Sequence, residues 1–132
     1  PHNGGEYAMT QPQHYTACEA QTFGDEAPGV TIRWVIDKKD GADNYAMRII
    51  EVAPAGHTPH HAHWFEHENF IIEGQGEVTI GDGVYPVNQG DVIFVPGDVE
   101  HQYRNTGNTP LKFICGIPME WIKNARSQKH RS

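Results

Sequence analysis

The sequence predicts an all-β domain, a small jelly-roll sandwich that closes into a barrel. Two observations support this prediction: short runs of β-branched and aromatic residues recur along the chain, and Gly, Pro, Asn or Asp separates each run from the next. At 132 residues the chain has the size of one domain. The strand-like runs are VTIRWVI (30–36), NYAMRIIEV (44–52), ENFIIEG (68–74), GEVTIG (76–81), GVYPV (83–87), DVIFVP (91–96), EHQYRN (100–105) and LKFICGI (111–117).

The two ends of the chain differ from this middle part. Residues 1–28 are polar and rich in Gly, Pro and Gln, so we expect a flexible arm unless it docks on the domain or on a neighbouring subunit. We expect the barrel over residues 29–120, followed by a short tail, 121–132. Only MEWIKNARSQ, residues 119–128, resembles a helix. Inside the barrel, GDG between VTI and VYPV predicts a tight hairpin, because these residues tolerate positive φ.

Composition argues against two classes of partner. The chain is 37% hydrophobic and 20% charged, and it has no apolar run near the roughly 18 residues that span a bilayer, so we expect no membrane insertion. The formal net charge is -7, and Lys and Arg gather only near the C-terminus. Nucleic-acid binding needs a positive surface that releases counterions from phosphates, so we expect no nucleic-acid partner.

The cysteines and the N-terminal residues do not identify the cellular compartment. Cys18 and Cys115 lie far apart without CxxC spacing, so we expect free thiols, with a single disulfide as the alternative. The chain opens at Pro1 without the charged and apolar plan of a signal peptide. The compartment stays open: a cytoplasmic location is favoured, and a presequence that has been removed is the alternative.

The stretch HHAHWFEHE, residues 60–68, holds four of the chain's nine histidines. Side chains alternate faces along an extended strand, so His61 and His63 are expected to point the same way. His67 follows at the start of the next apolar run, and His101 comes later, after the turn residues VPGD. Neutral imidazoles bind Zn, Fe, Cu, Ni and Mn, and a barrel can hold several of them rigidly. The pattern predicts a metal site, with an adventitious tag-like run as the alternative.

The spacing of these residues resembles the two motifs of the cupin superfamily. The resemblance covers residues 44–117, and 15 residues, Gln75 to Gln89, separate the motifs, as in the smallest cupins. The positions that match the motifs are His61, His63, His67, Gly74, Gly90, Pro96, His101 and Asn105. Ala55 and Asp98 stand where the family usually has Gly. We expect the neighbouring Gly56 and Gly97 to serve those turns instead.

His67 occupies the slot of the family's usual glutamate ligand, so the chain is similar to small single-domain cupins with a four-histidine site. This resemblance implies a double-stranded β-helix barrel and one divalent transition metal, Mn, Fe, Ni, Cu or Zn. The implied ligands are His61, His63, His67 and His101. Glu68 is the main alternative ligand and Glu66 a weaker one. We expect His57 and His60 to face solvent or the mouth of the site.

Strand alternation adds candidates around the metal. The inward-facing candidates for the substrate pocket are Arg48, Tyr103, Phe113, Cys115 and Ile117. An inward arginine near a metal needs an anionic partner, so Arg48 is a candidate clamp for a substrate carboxylate or enolate, with a surface ion pair at the rim as the alternative. Tyr103 could donate a proton or orient a ligand, or only fill space. Cys115 is expected to pack rather than to react.

The leading functional hypothesis is a metalloenzyme that binds a bidentate oxygen substrate and activates dioxygen or peroxide, as many members of this broad set do. A non-redox lyase or isomerase on a sugar-like or keto-acid-like compound is the first alternative. A small-ligand-binding module without turnover is the second. The expected partners are a small-molecule substrate and a second copy of the chain, because small cupins often pair through a sheet and an arm could cover its edge.

Overall fold

The computed structural model describes residues 11–125, and it confirms the all-β jelly-roll prediction. Nine strands pair antiparallel throughout. The strands are β1 (Gln21–Thr22), β2 (Val30–Ile36), β3 (Tyr45–Val52), β4 (His67–Glu73), β5 (Gln75–Ile80), β6 (Gly83–Asn88), β7 (Val92–Val95), β8 (His101–Asn105) and β9 (Leu111–Pro118).

These strands form a larger sheet, in the order β1-β2-β3-β9-β4-β7, and a smaller sheet, in the order β6-β5-β8. Alternate side chains of both sheets build one apolar core. Val52, Ile71 and Phe113 enter it from the larger sheet and Val78 from the smaller one, each at most 1% exposed. The expected GDG hairpin joins β5 to β6, and Gly81 takes the positive φ, 59°, that the turn needs.

The segment before β4 differs from the extended strand that face alternation assumed. It makes only isolated bridges, among them the pair His61 and His101, and it bends at residues 64–65. Backbone hydrogen bonds nevertheless fasten it to β8. The His101 amide donates to the His61 carbonyl at 2.9 Å and the reverse bond is 3.3 Å, while the Thr58 amide donates to the Tyr103 carbonyl at 2.9 Å. This segment, residues 53–66, is called the histidine loop, and it is held against β8 without being a strand.

The described part of the N-terminal arm docks on its own barrel. Strand β1, which the sequence did not predict, pairs with β2, where Gln21 lies opposite Ile32. The Cys18 carbonyl accepts a hydrogen bond from Arg33 Nε at 3.2 Å, and Ala27 is 1% exposed in the core. Both cysteines are free thiols, as expected.

The predicted C-terminal helix is present at residues 121–125, and residues 126–128 of the prediction lie outside the described part. Trp121 remains 55% exposed, and its indole N–H donates to the Asp43 carbonyl. In the part of the chain that the structure describes, no helix has the length and apolar character to cross a bilayer.

Within residues 11–125, two residues other than glycine have a left-handed backbone: Ala55, with φ of 67°, and Asp98, with φ of 64°. These are the two positions where this chain has another residue in place of a glycine that is usual in the cupin motifs. The expectation that Gly56 and Gly97 serve the turns instead is wrong, because neither has a positive φ. Gly97 is needed for space, since a Cβ there would lie 2.6 Å from the Trp64 carbonyl oxygen.

Replacing Ala55 with glycine is expected to stabilise the protein, because the left-handed conformation costs a residue with a Cβ about 1–2 kcal/mol. The greater freedom of glycine in the unfolded chain offsets part of that gain, which leaves roughly 0.5–1 kcal/mol. Urea unfolding followed by circular dichroism measures the difference. Ala42→Gly is the control, since Ala42 has no positive φ, and this variant should lose stability. An Ala55→Gly loss as large as that of Ala42→Gly would contradict the assignment of strain.

Candidate metal centre

Three histidines from separate parts of the chain meet inside the barrel. His63 comes from the loop, His67 from the first residue of β4 and His101 from the first residue of β8. One ring nitrogen of each lies within 4.8 Å of the corresponding nitrogens of the other two. Their ring centroids are 4.5–5.5 Å apart. Three converging nitrogens on three elements are a candidate site for one ion.

His101 is oriented for ligation by a backbone contact. Its Nδ1 lies 3.0 Å from the Val99 carbonyl oxygen, which can only accept, so Nδ1 carries the proton. A neutral imidazole has only one N–H group, so Nε2 of His101 keeps a free lone pair that can bind a metal ion. In protein metal sites, a hydrogen bond from the ring nitrogen that does not bind the metal fixes the tautomer and the orientation of the ring.

The electrostatics of the cluster keep the rings neutral. Burial and the nearby charges of His101 and Arg48 lower the pKa of His67 to about 3. Burial is also the main reason that the pKa values of His63 and His101 are lowered. Metal ligation requires deprotonated imidazole nitrogens, which these three rings therefore offer at neutral pH. His67 Nδ1 is buried without a hydrogen-bond partner. The residues present thus fit a divalent metal ion.

His61, the fourth implied ligand, lies outside this cluster. Its Nε2 is 2.6 Å from Glu26 Oε1, and its ring centroid is 5.9 Å from that of His63. The structure therefore brings together three of the four implied ligands. The reason is the contact with Glu26, a residue 35 positions earlier in the chain that the motif spacing did not include.

The other polar residues of the motif face outward. Glu66 and Glu68 are exposed, and neither belongs to the histidine cluster of the described chain. His60 is exposed with Nδ1 3.2 Å from Glu100 Oε2, and His57 Nδ1 lies 3.1 Å from the Thr58 carbonyl oxygen.

Arg48 faces into the cavity beside the histidines. Its guanidinium carbon lies 5.2 Å from the centre of the Trp34 ring, and its Nη2 donates to Cys115 Sγ at 2.8 Å. Arg48 Nε is buried without a partner. No carboxylate of residues 11–125 pairs with Arg48, so the described chain shows no rim ion pair for it. Burial raises the pKa of the Cys115 thiol although Arg48 opposes the shift, so the thiol stays protonated.

Tyr103 and Asn69 form a polar pair that the sequence analysis did not include. Asn69 Nδ2 donates to Tyr103 Oη at 2.6 Å, and Asn69 Oδ1 is buried without a partner. Burial raises the pKa of the Tyr103 hydroxyl far above its usual value. The Tyr103 ring stacks on Phe113 with centroids 4.2 Å apart. Asn69 shares the buried face of β4 with His67 and Ile71, so its position two residues after a predicted ligand on the same face was the available signal.

The histidines line a cavity of about 460 Å³ whose wall is mainly apolar and aromatic. Phe23, which follows β1, and Met119, which follows β9, also line it. Five predicted pocket residues line it: Arg48, Tyr103, Phe113, Cys115 and Ile117. Further lining residues are Trp34, Ile50, Phe65, Asn69 and Glu120. The volume suits a small organic molecule that places polar atoms at the histidines.

Comparison with known proteins gives results consistent with this geometry. The family model described as "Cupin domain" matches residues 48–117. The structure of the polyketide cyclase RemF from Streptomyces resistomycificus superposes with a TM-score of 0.78 at 31% identity, covering 85% of this chain and 81% of that chain.

Two curated enzymes match shorter stretches. The 1-methylthio-D-xylulose 5-phosphate methylsulfurylase of Rhodospirillum rubrum is 32% identical over 74 residues, which cover 56% of this chain and 47% of that enzyme. The gentisate 1,2-dioxygenase of a Ralstonia species is 29% identical over 75 residues, which cover 54% of this chain and 21% of that enzyme. The chain thus spans about half or less of these two relatives. Because the family model matches more than half of its residues, the chain belongs to the cupin domain family.

Proposed function

We propose that this protein is a metal-dependent enzyme that acts on an enolisable keto compound. One observation carries the proposal: three neutral histidines converge in an aromatic cavity beside an arginine that has no carboxylate partner in the described chain. A cation site next to an unpaired guanidinium favours an anionic ligand, because only such a ligand offsets both charges. An enolate or a carboxylate meets this requirement.

His63, His67 and His101 would hold the ion, and His61 is the proposed fourth ligand once it leaves Glu26. A divalent ion supplies Lewis-acid polarisation of substrate oxygens, and Mn, Fe, Ni or Cu would add redox chemistry. We infer no metal identity, since imidazole ligands suit all of the candidates, Mn, Fe, Ni, Cu and Zn.

Arg48 and Tyr103 are the proposed groups that act on the substrate. The guanidinium of Arg48 can donate to an enolate or carboxylate oxygen through Nε, which has no partner of its own. Tyr103 Oη already accepts a hydrogen bond from Asn69 Nδ2, so its own O–H is free to donate a hydrogen bond into the cavity. Its raised pKa keeps the Tyr103 hydroxyl protonated at neutral pH, so the group can donate a hydrogen bond to a substrate oxygen but cannot act as a base. Cys115, Phe113 and Ile117 supply packing surface for the substrate.

A non-redox reaction at a keto group is the reaction class with the better support. The likeness to a polyketide cyclase extends over 81% of that chain. Ring closure of a poly-keto compound in general requires an enolate carbon to attack a carbonyl carbon. An arginine that stabilises the enolate and a tyrosine that protonates the carbonyl oxygen suit such a ring closure.

A dioxygenase is the second candidate, supported by the shorter match to a gentisate dioxygenase. Dioxygen uptake by iron-loaded protein with a 1,3-diketone would favour this candidate, whereas conversion under anaerobic conditions with zinc would favour the non-redox class. If both the iron-loaded and the zinc-loaded protein bind the diketone without converting it, the result would favour a ligand-binding module without catalytic activity.

Loss of a cluster histidine is expected to weaken metal binding strongly. Protein purified without a metal-affinity column should contain about one transition metal per chain. His67→Ala should weaken zinc binding by more than the roughly 10–100-fold loss typical of outer-sphere changes. Elemental analysis and competition with a zinc indicator measure this. His60→Ala, beside the same motif but exposed, should bind like the wild type, and equal losses in both variants would contradict the assignment.

Arg48→Met is expected to weaken binding of an anionic 1,3-diketonate to the zinc-loaded protein by roughly 10–100-fold, the value of a hydrogen bond to a charged group. The ultraviolet difference spectrum of the diketonate measures its affinity, while zinc content should stay unchanged. Arg33→Met is a matched control, because Arg33 also lies over an aromatic ring, Tyr15, but away from the cavity. An unchanged affinity in Arg48→Met would remove Arg48 from substrate binding.

We also propose a homodimer that pairs through the outer face of the larger sheet. In the register of β3, β9, β4 and β7, one row of that face is apolar, and Met47 and Phe94 stand in the next row. The apolar row consists of Ile49, Ile114, Phe70 and Val92. Phe70, Val92 and Phe94 are 44%, 77% and 56% exposed, which is unusual for large apolar side chains on a lone surface. A second copy would cover them.

Phe94→Glu is expected to convert a dimer into a monomer, because it places a charge in the centre of an apolar contact. Sedimentation velocity measures the mass. Tyr85→Glu changes an aromatic ring of similar exposure, 53%, on β6 of the other sheet and should leave the dimer intact. A wild-type protein that sediments as a monomer at micromolar concentration would contradict the dimer.

A further inference from the structure

The contact between Glu26 and His61 joins the N-terminal segment to the metal motif. Glu26 Oε1 lies 2.6 Å from His61 Nε2, and the two side chains are 53% and 48% exposed. Glu26 ends a short 3-10 turn, Gly24–Glu26, between Phe23, which lines the cavity, and Ala27, which is 1% exposed in the core. The carboxylate is thus presented at the cavity by a segment anchored on both sides.

The backbone of His61 is fixed, whereas its side chain has room to turn. Reciprocal hydrogen bonds with His101 hold the main chain of His61 in place. The ring centroid of His61 lies 5.9 Å from that of His63, close to the 5.5 Å between His63 and His101 within the cluster. A rotation about side-chain bonds alone would therefore bring His61 toward the three other rings.

His61 Nε2 can donate a hydrogen bond to Glu26 or bind a metal ion, but it cannot do both at once. Nε2 carries a proton when it donates to Glu26, and it must offer a lone pair to bind an ion. Ligation of an ion through Nε2 would require that nitrogen to be free of its proton, and the hydrogen bond to Glu26 would then be lost. The same atom cannot hold the carboxylate and the metal together.

We propose that Glu26 is a positioning residue that holds His61 out of the metal site until an ion displaces it. Loading of the ion then frees the turn at residues 24–26 and the neighbouring Phe23 at the cavity. Occupation of the metal site and mobility of the N-terminal segment are therefore coupled. This inference rests on the proposed metal-dependent function, whose ion site it completes.

Hydrogen exchange followed by mass spectrometry tests the coupling on the full chain, with and without one equivalent of zinc. Exchange in a peptide covering residues 19–29 should become roughly two- to fivefold faster on zinc binding, as expected when one partly exposed contact to a carboxylate is lost. Glu26→Ala should show the faster exchange without zinc and no further rise with it. His61→Ala should behave in the same way and should bind zinc more weakly.

Glu100→Ala is the matched control, because Glu100 contacts His60 in the same manner but neither residue lines the cavity. It should keep the wild-type response to zinc. If the wild type binds zinc stoichiometrically and exchange at 19–29 is unchanged or slower, the coupling is overturned while the metal site stands. A zinc-dependent rise that persists in Glu26→Ala also overturns it. A wild type that binds no zinc overturns both proposals.

Discussion

The backbone pairing between the histidine loop and β8 is the constraint on which the site depends. The loop is not a strand, yet reciprocal bonds join His61 to His101, and Thr58 bonds Tyr103 through both its amide and its hydroxyl. These contacts place His63 opposite His101 and bring Tyr103 into the same cavity. The smaller sheet thereby sets the distance between two ligands that lie 38 positions apart in the chain, and β4 adds the third.

The fold and much of the site could be predicted from the sequence because both follow from local alternation. The eight predicted runs correspond to β2 through β9, and motif spacing selected four histidines, of which three converge. Alternation also pointed Arg48, Tyr103 and Cys115 inward, and all three line the cavity. What alternation cannot provide is a contact between distant segments. The two-residue strand β1 has too little sequence to be recognised, and it exists through its pairing with β2.

His61 illustrates the same limit at the level of one side chain. Spacing places its backbone correctly, but the direction of its ring depends on a carboxylate from the N-terminal segment. Asn69 was missed for a different reason, since it belongs to the run ENFIIEG, whose composition predicts a strand but no polar site. Its buried, unpaired Oδ1 shows that inward polar residues within apolar runs merit the same attention as histidines.

Because Arg48 lies over the Trp34 ring, the fluorescence of this indole can report on the cavity. The indole lines the same space as the three histidines, 5.2 Å from a cationic group that an anion would attract. Movement of the guanidinium changes the electric field across the ring, and indole emission responds to such fields. The occupancy of the pocket can therefore be followed by intrinsic fluorescence, without a label and before the natural substrate is identified.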